Sequence, residues 1–254
     1  MSHHVIEITD LQYVYPDGNK AINEVSLKLR HGESVGIVGA NGAGKSTLLM
    51  LILGIIFPFH GNISIGNIPV TKKTLPYIRE KVGMVFQDPD DQLFMNTVYD
   101  DVAFGPRNYK IDEEEVSKRV LKALETVGIL HLKDRAPYKL SGGEKRSASI
   151  AAILSMHPEI LIMDEPTTAL DPKSRRCLIN LLKGFDHTKI IATHDLDMVY
   201  ELCERTIILK DGTIIADGLT SELMINEELM EKCGLEIPLS IQNCPRCGAE
   251  KLYR

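Results

Sequence analysis

Residues 39–47, Gly39-Ala40-Asn41-Gly42-Ala43-Gly44-Lys45-Ser46-Thr47, fit the phosphate-cradling pattern G-x-x-x-x-G-K-[ST], the P-loop. The flanks fit the context this motif needs. Ser34 to Val38 is an apolar run that reads as a buried strand, and Ser46 through Ile56, rich in Leu and Ile, reads as a helix. Glycine lets such a loop turn back so that successive backbone N–H groups point at one spot, and the helix adds its positive N-terminal end. Gly39, Asn41, Gly42, Ala43 and Gly44 then form the cradle. Lys45 reaches the β- and γ-phosphates, Ser46 coordinates Mg²⁺, and Thr47 reaches the α-phosphate side. One stretch therefore predicts strand, loop, helix and nucleotide binding together.

The bulk numbers exclude several classes. The chain has 254 residues, enough for one or two domains. A net charge of −6 leaves no electrostatic footprint for DNA or RNA, so nucleic acid is not expected as a partner. No apolar run is long enough to span a bilayer, and the N-terminus lacks a basic region followed by an apolar stretch, so the chain is expected in the cytoplasm. Five cysteines, an odd count, fit a reducing compartment better than a disulfide framework.

Taken in order, Val5 to Leu11 and Val25 to Arg30 read as half-buried antiparallel strands around the turn Pro16-Asp17-Gly18-Asn19. Tyr13 and Tyr15 precede that turn, and either could offer a flat face to an adenine ring or simply pack. Ile63-Ser64-Ile65 resumes a short strand. Val82 to Phe86 reads as a strand buried on both faces, with Gln87 at its carboxyl end, the side where open α/β sheets hold ligands. From Asp88 to Leu140 no buried strand is expected. Within it Asp112-Glu113-Glu114-Glu115 opens a helix with a capping-box pattern, its apolar stripe runs through Val116, Val120, Ala123, Leu124 and Val127, and Gly128 ends it.

Leu140-Ser141-Gly142-Gly143-Glu144 precedes a helix expected over 145–156. Its Ser-Gly-Gly start is either an ordinary N-cap or a second set of bare N–H groups for phosphate. Ile160 to Met163 delivers two carboxylates, Asp164 and Glu165, at a strand end, where unpaired buried charge is costly. Asp164 suits an Mg²⁺ shell and Glu165 a general base for the attacking water. Lys189 to Thr193 is a further buried strand, with His194 at its end. Thr206 to Leu209 and Gly212 to Ala216 flank Lys210-Asp211, so Asp211-Gly212 reads as a tight hairpin turn, and the segment after Ala216 is expected to be helical to about Gly234.

These motifs, in this order, resemble the ATP-binding cassette (ABC) ATPases over residues 5–233. The resemblance implies an α/β P-loop ATPase with a mostly parallel core sheet, an N-terminal antiparallel β subdomain and a helical insertion at about 88–158. The cassette would occupy 1–234 and a tail 235–254. It further implies a head-to-tail dimer with two ATP at the interface, each held by one P-loop and the other subunit's Ser141, Gly142, Gly143 and Glu144. By the same resemblance Tyr15 stacks on adenine, Gln87 senses Mg²⁺ and the membrane subunit, His194 contacts the γ-phosphate as catalytic switch, and Asp171 communicates across the interface. Lys45, Glu165 and His194 would carry the catalysis. One departure is Ser147, where the family usually has Arg next to the position of Arg146; it bears on the local salt bridges of that helix.

Phe86 to Phe94 (FQDPDDQLF) and Phe104 to Asn108 are similar to the ATPases of energy-coupling-factor and cobalt or nickel importers. That resemblance implies ATP-driven uptake of a transition-metal ion or a vitamin. The partners would be an integral membrane subunit, a small substrate-binding membrane protein and a second cassette, identical or similar. The chain would then lie peripherally on the cytoplasmic face of the membrane. The alternative is a soluble non-transport ABC ATPase acting on nucleic acid or ribosomes. In the tail, Cys244-Pro-Arg-Cys247 is half a zinc-ribbon knuckle; with Cys233 as a third ligand, or a second tail, it could hold a structural zinc.

Overall fold

A computed structural model describes residues 6–242. In chain order its elements begin with β1 (Ile6–Val14), β2 (Lys20–Leu29), β3 (Ser34–Val38), α1 (Lys45–Ile52), β4 (His60–Ile65) and β5 (Ile68–Pro69). They continue with α2 (Leu75–Lys81), β6 (Val82–Val85), α3 (Val98–Asn108), α4 (Glu113–Thr126), α5 (Gly142–Leu154), β7 (Ile160–Asp164) and α6 (Pro172–Lys183). The last are β8 (Thr188–Ala192), α7 (Leu196–Leu202), β9 (Arg205–Lys210), β10 (Thr213–Leu219), α8 (Thr220–Leu223) and α9 (Glu227–Lys232). The described residues form two compact units: residues 6–75 together with 189–242, and residues 76–188.

The first unit contains an antiparallel sheet in the order β2-β1-β4-β5. Its register sets Ile6 against Leu29 and Ile65, and Ile8 against Leu27 and Ile63. All six are buried, so period-two alternation places one apolar face inward and leaves Lys28 and Glu7 to pair outside. In the same unit β3 runs parallel to both β8 and β9, and all five of its residues are buried. A strand covered on both faces reads as a continuous apolar run, which is how Ser34 to Val38 reads. The β9–β10 hairpin turns on Asp211 and Gly212, both at positive φ (48° and 73°), as a tight two-residue turn requires.

In the second unit β6 and β7 pair in parallel, with Gly83 opposite Leu161 and Val85 opposite Met163. A side chain on Gly83 would run into Ile153 of α5 and Pro158, so glycine here lets helix and strand approach closely. The helices α3, α4 and α5 share a core built from Val98, Val102, Val116, Val120, Leu124, Ala148 and Ala151. Pro106 lies inside α3 and cannot donate the usual bond to the carbonyl of Val102; the Ser155 hydroxyl donates to that carbonyl instead, at 2.8 Å.

The structure corrects three local expectations. Asp112 precedes α4 but makes no side-chain cap; the acidic first turn reaches outward, Glu114 to Lys118 at 2.7 Å, Glu115 to Arg119 at 2.8 Å and Glu113 to Arg107 at 2.9 Å. α5 begins at Gly142 rather than Lys145, because Ser141 caps it. α1 stops at Ile52, and the left-handed Gly54 (φ 60°) shortly after ends the run expected to reach Ile56. Among the described residues no helix is long and apolar enough to cross a membrane.

Candidate functional site

In the first unit the chain leaves β3 at Gly39, turns, and enters α1 at Lys45. Gly44 is the helix N-cap residue at φ 102°, and a side chain there would come within 2.5 Å of the Ala21 carbonyl oxygen. Only glycine satisfies both the conformation and the approach. Gly42 is also left-handed (φ 81°), with open space around its Cα. The β9–β10 turn braces the loop from outside: Gly212 N–H donates to Ala43 O at 3.1 Å, and Asn23 N–H to Gly212 O at 2.8 Å. Lys45 is 7 % exposed, and its Nζ donates to the loop carbonyls of Gly39 (2.8 Å) and Ala40 (3.3 Å). The loop is thus preformed, with a cation held across it.

Ser46 is half-buried on the first turn of α1, and Thr47 is buried beside it. The Thr47 hydroxyl lies 3.0 Å from that of Tyr15, which is half-buried, while Tyr13 packs edge-on against Tyr15 with ring centroids 4.9 Å apart. Of the two tyrosines, Tyr15 is therefore the one tied to the P-loop helix. His194 belongs to the same unit. Because Ile37 pairs with Ala192 and Thr193 N–H donates to Ile37 O at 3.1 Å, His194 leaves β8 on the side where Gly39 leaves β3. Its side chain is exposed.

The second unit holds the other predicted residues. Val85 and Met163 are register partners, so Gln87 follows one parallel strand while Asp164 and Glu165 follow the other. Gln87 is exposed, whereas Asp164 and Glu165 are only 5 % and 6 % exposed. Glu165 adopts φ 45°, a conformation that non-glycine residues use sparingly and that concentrates where a side chain must be aimed.

Ser141 and Glu144 form a reciprocal capping box at the start of α5: Ser141 N–H donates to the Glu144 carboxylate at 2.7 Å and Glu144 N–H to Ser141 Oγ at 3.3 Å. The Ser141 N–H holds the Glu144 carboxyl below its ordinary range. Asp171 caps α6, accepting from the backbone N–H of Lys173 (2.9 Å) and Ser174 (3.1 Å) and from Ser174 Oγ (2.5 Å). These bonds, the Ser174 hydroxyl foremost, lower its pKa. The two helix starts abut: a side chain on Gly143 would sit 2.8 Å from Ser174 Oγ. Beside them opens a groove of about 680 Å³ lined by Ser141, Glu144, Asp171, Ser174 and Cys177. Each of these two helix N-termini already holds a carboxylate of its own chain, Glu144 on α5 and Asp171 on α6.

Sequence reading did not single out the residues that hold Gln87's segment in place. Arg146 is 2 % exposed, and its two terminal nitrogens donate to Phe86 O and Gln87 O, each at 2.5 Å. It makes no salt bridge along its own helix. Nothing in a Lys-Arg pair inside a helix signals such a bond. For metals, no three His, Cys, Asp or Glu form a ligand group among the described residues. Cys233 is buried at 2 % exposure, and Cys244 and Cys247 lie outside the described residues. The expected Mg²⁺ donors differ in kind: a hydroxyl (Ser46), a carboxylate (Asp164) and an amide oxygen (Gln87), the hard oxygen set this cation prefers.

Comparison with known proteins gives the following. The family model described as ABC transporter matches residues 22–168. A Geobacter sulfurreducens protein, described provisionally as an ABC transporter ATP-binding protein, is 58 % identical over 248 residues, 98 % of this chain and 100 % of that one. The energy-coupling factor transporter ATP-binding protein EcfA of Methanothermobacter thermautotrophicus is 44 % identical over 92 % of this chain and 77 % of its own length. Among solved structures, CbiO1 of Clostridium perfringens, part of the CbiONQ ABC transporter complex, superposes with a TM-score of 0.80 at 41 % identity, covering 91 % of this chain and 94 % of that one. An ATP-binding cassette solved as a post-hydrolysis dimer with ADP and Pi superposes with a TM-score of 0.78 at 31 % identity, covering 85 % and 98 %.

Proposed function

Since the chain belongs to the ABC transporter family and carries its α/β P-loop ATPase fold, an ATP-hydrolysing cassette, we propose that it is the ATPase subunit of an importer of the energy-coupling-factor type. In this reading the P-loop residues Gly39, Asn41, Gly42, Ala43, Gly44 and Thr47 cradle the phosphates, and Lys45 leaves its loop carbonyls for the β- and γ-phosphates. Tyr15 stacks on the adenine. Ser46, Gln87 and Asp164 supply oxygen donors to Mg²⁺, which when bound neutralises charge on the phosphates. Glu165 takes the proton of the attacking water, and His194 contacts the γ-phosphate. Ser141, Gly142, Gly143 and Glu144 serve the ATP held by a partner cassette, identical or similar, and Asp171 communicates across that interface.

The observation that carries the transporter reading is an exposed aromatic pair in the helical part of the second unit. Phe94, 63 % exposed, and Phe104, 44 % exposed, stack edge to face with centroids 4.9 Å apart. Two exposed rings stacked on each other form a contiguous apolar patch, which supports a binding surface. Phe94 lies on the segment that begins with Gln87, so an occupant of this patch is linked to the metal-sensing loop by a few residues of backbone. A membrane-embedded subunit fits; ATP binding and hydrolysis then close and reopen the dimer and move that subunit. The chain sits peripherally on the cytoplasmic face, and the cargo, a cobalt or nickel ion or a vitamin, is bound by the small membrane partner. The acidic net charge speaks against an alternative role on nucleic acid or ribosomes.

A zinc ion on Cys244 and Cys247 is a separate proposal, checked by the zinc content of the chain with both replaced by Ser; unchanged content would remove it. For the transporter reading, the test is capture of the tagged chain from its native membranes in mild detergent. One multi-span protein and one small membrane protein are expected with the wild type, and neither with Phe94→Ser/Phe104→Ser. Recovery of soluble partners alone, or of ribosomes, would overturn it.

A further inference from the structure

Arg146 is the most deeply buried arginine of the second unit, and its bonding does not resemble that of a structural salt bridge. Its terminal nitrogens donate to two consecutive carbonyls, those of Phe86 and Gln87, and its Nε is buried without a hydrogen-bond partner. Asp88 and Asp164 are the carboxylates whose field it feels, while burial depresses its pKa. A buried cation held mainly by neutral carbonyls is costly to maintain. What the arrangement achieves is geometric. A planar fork that grips these two carbonyls fixes the two peptide units that meet at the Gln87 Cα, and with them the direction in which the Gln87 side chain leaves the backbone.

The same segment is fastened to α5 at two further places. Lys145 Nζ donates to both carboxylate oxygens of Asp90, at 2.6 and 2.8 Å, and Gln92 Nε2 donates to Ser149 O at 2.8 Å. Residues 86–92 are thus bound along the first two turns of the helix whose N-terminus carries Ser141, Gly142 and Gly143.

We propose that Arg146 is a positioning residue that locks Gln87 to the Ser141–Glu144 helix start, so that the metal-sensing loop and the helix start that serves the partner's nucleotide move as one body. The proposal rests on the ATPase reading and adds to it a coupling in cis, through one side chain. Both terminal nitrogens of Arg146 are taken up by backbone carbonyls, and it acts through Gln87. Lysine, a single-point donor, cannot hold both carbonyls in one plane.

Two measurements on the full-length chain test this. In the first, Mn²⁺ affinity of the ATP-bound protein is read by electron paramagnetic resonance for Arg146→Lys, Gln87→Ala and the double variant. Arg146→Lys is expected to weaken Mn²⁺ by about tenfold, the usual effect of losing a group that orients a ligand. Added to Gln87→Ala it should cause no further loss. An unchanged affinity, or losses that simply multiply, would overturn the proposal.

The second uses the wild type alone and does not depend on any variant folding. Hydrogen exchange is followed in peptides covering 86–92 and 141–147 as ATP and Mg²⁺ are added. Both should gain protection together over the same nucleotide range, and a change in one without the other would overturn the coupling. The peptide covering 39–47 serves as the internal reference: no ATP-dependent protection there would overturn the ATPase reading itself, and this proposal with it.

Discussion

The hydroxyl of Tyr15 lies 3.0 Å from that of Thr47, which ties an aromatic ring on the strand side of the first unit to the third residue after Gly44 on α1. The bond fixes the ring relative to the phosphate loop. Base–aromatic stacking is worth about 1–3 kcal/mol, so Tyr15→Ala should weaken ATP binding by roughly tenfold or more, and Tyr15→Phe, which keeps the ring, should change it little. Inorganic tripolyphosphate should bind both variants like the wild type. Equal losses for ATP and tripolyphosphate would mean that Tyr15 supports the loop rather than the base.

Gly143 and Ser174 bring two helix starts together, and the contact sets a steric prediction. Gly143→Ala places a methyl 2.8 Å from Ser174 Oγ, which is itself held by Asp171 at 2.5 Å. The hydroxyl must give way, at a cost of about 1–3 kcal/mol typical of overpacking. Urea unfolding should register the loss, and Ser174→Ala in the same chain should recover part of it. No recovery would place the strain elsewhere.

Asp101 sets a pH dependence. Its carboxylate is 5 % exposed and accepts the backbone N–H groups of Phe94 (2.9 Å) and Met95 (3.0 Å), while its other oxygen is buried with no hydrogen-bond partner. Burial raises its pKa above the ordinary value despite those two bonds. A carboxyl whose folded-state pKa is raised holds its proton more tightly when folded, so its contribution to stability falls as pH rises from near 4 through the raised value. Asp101→Asn keeps an acceptor for the two N–H groups and abolishes the titration. The stability of the variant relative to wild type should therefore improve between pH 4.5 and 7, read by urea midpoints; a constant difference would contradict the assignment.

Three cysteines of the described chain differ in access. Cys177 is exposed on α6, Cys233 is 2 % exposed, and Cys203 is 5 % exposed with its thiol pushed up to about 12 by burial. Because the thiolate is the reactive form, a thiol reagent applied to the chain carrying Cys244→Ser and Cys247→Ser should label Cys177 within minutes and the other two only on unfolding. Rapid labelling of Cys203 would contradict its burial.

Much of this arrangement was legible in the sequence because it follows from local rules. Strands buried on both faces announce themselves as apolar runs, and the polar residues Gln87, Asp164 and His194 fall at the carboxyl ends of such runs, as the sequence alone already places them. The β9–β10 turn was legible because Asp211-Gly212 suits a backbone with two positive φ values. Long-range bonds left no such trace. That Arg146 would reach back sixty residues to the carbonyl of Phe86, or that Ser155 would satisfy the carbonyl freed by Pro106, depends on packing that no spacing encodes. Asp112 stands at the N-cap position without a side-chain cap, while the three successive glutamates after it pair with Arg107, Lys118 and Arg119, partners that the capping-box pattern does not indicate.

Glu165 is held at φ 45° and 6 % exposed just after β7, the strand paired with the one that leads to Gln87. The most direct test is phosphate release by the purified chain alongside equilibrium binding of ATP, for wild type, Glu165→Gln and Lys45→Ala. Loss of a general base costs about 10²- to 10⁴-fold in rate. Glu165→Gln should therefore bind ATP like the wild type and release phosphate at least a hundredfold more slowly, whereas Lys45→Ala should bind ATP weakly. Phosphate release at the wild-type rate by Glu165→Gln would remove Glu165 as the general base.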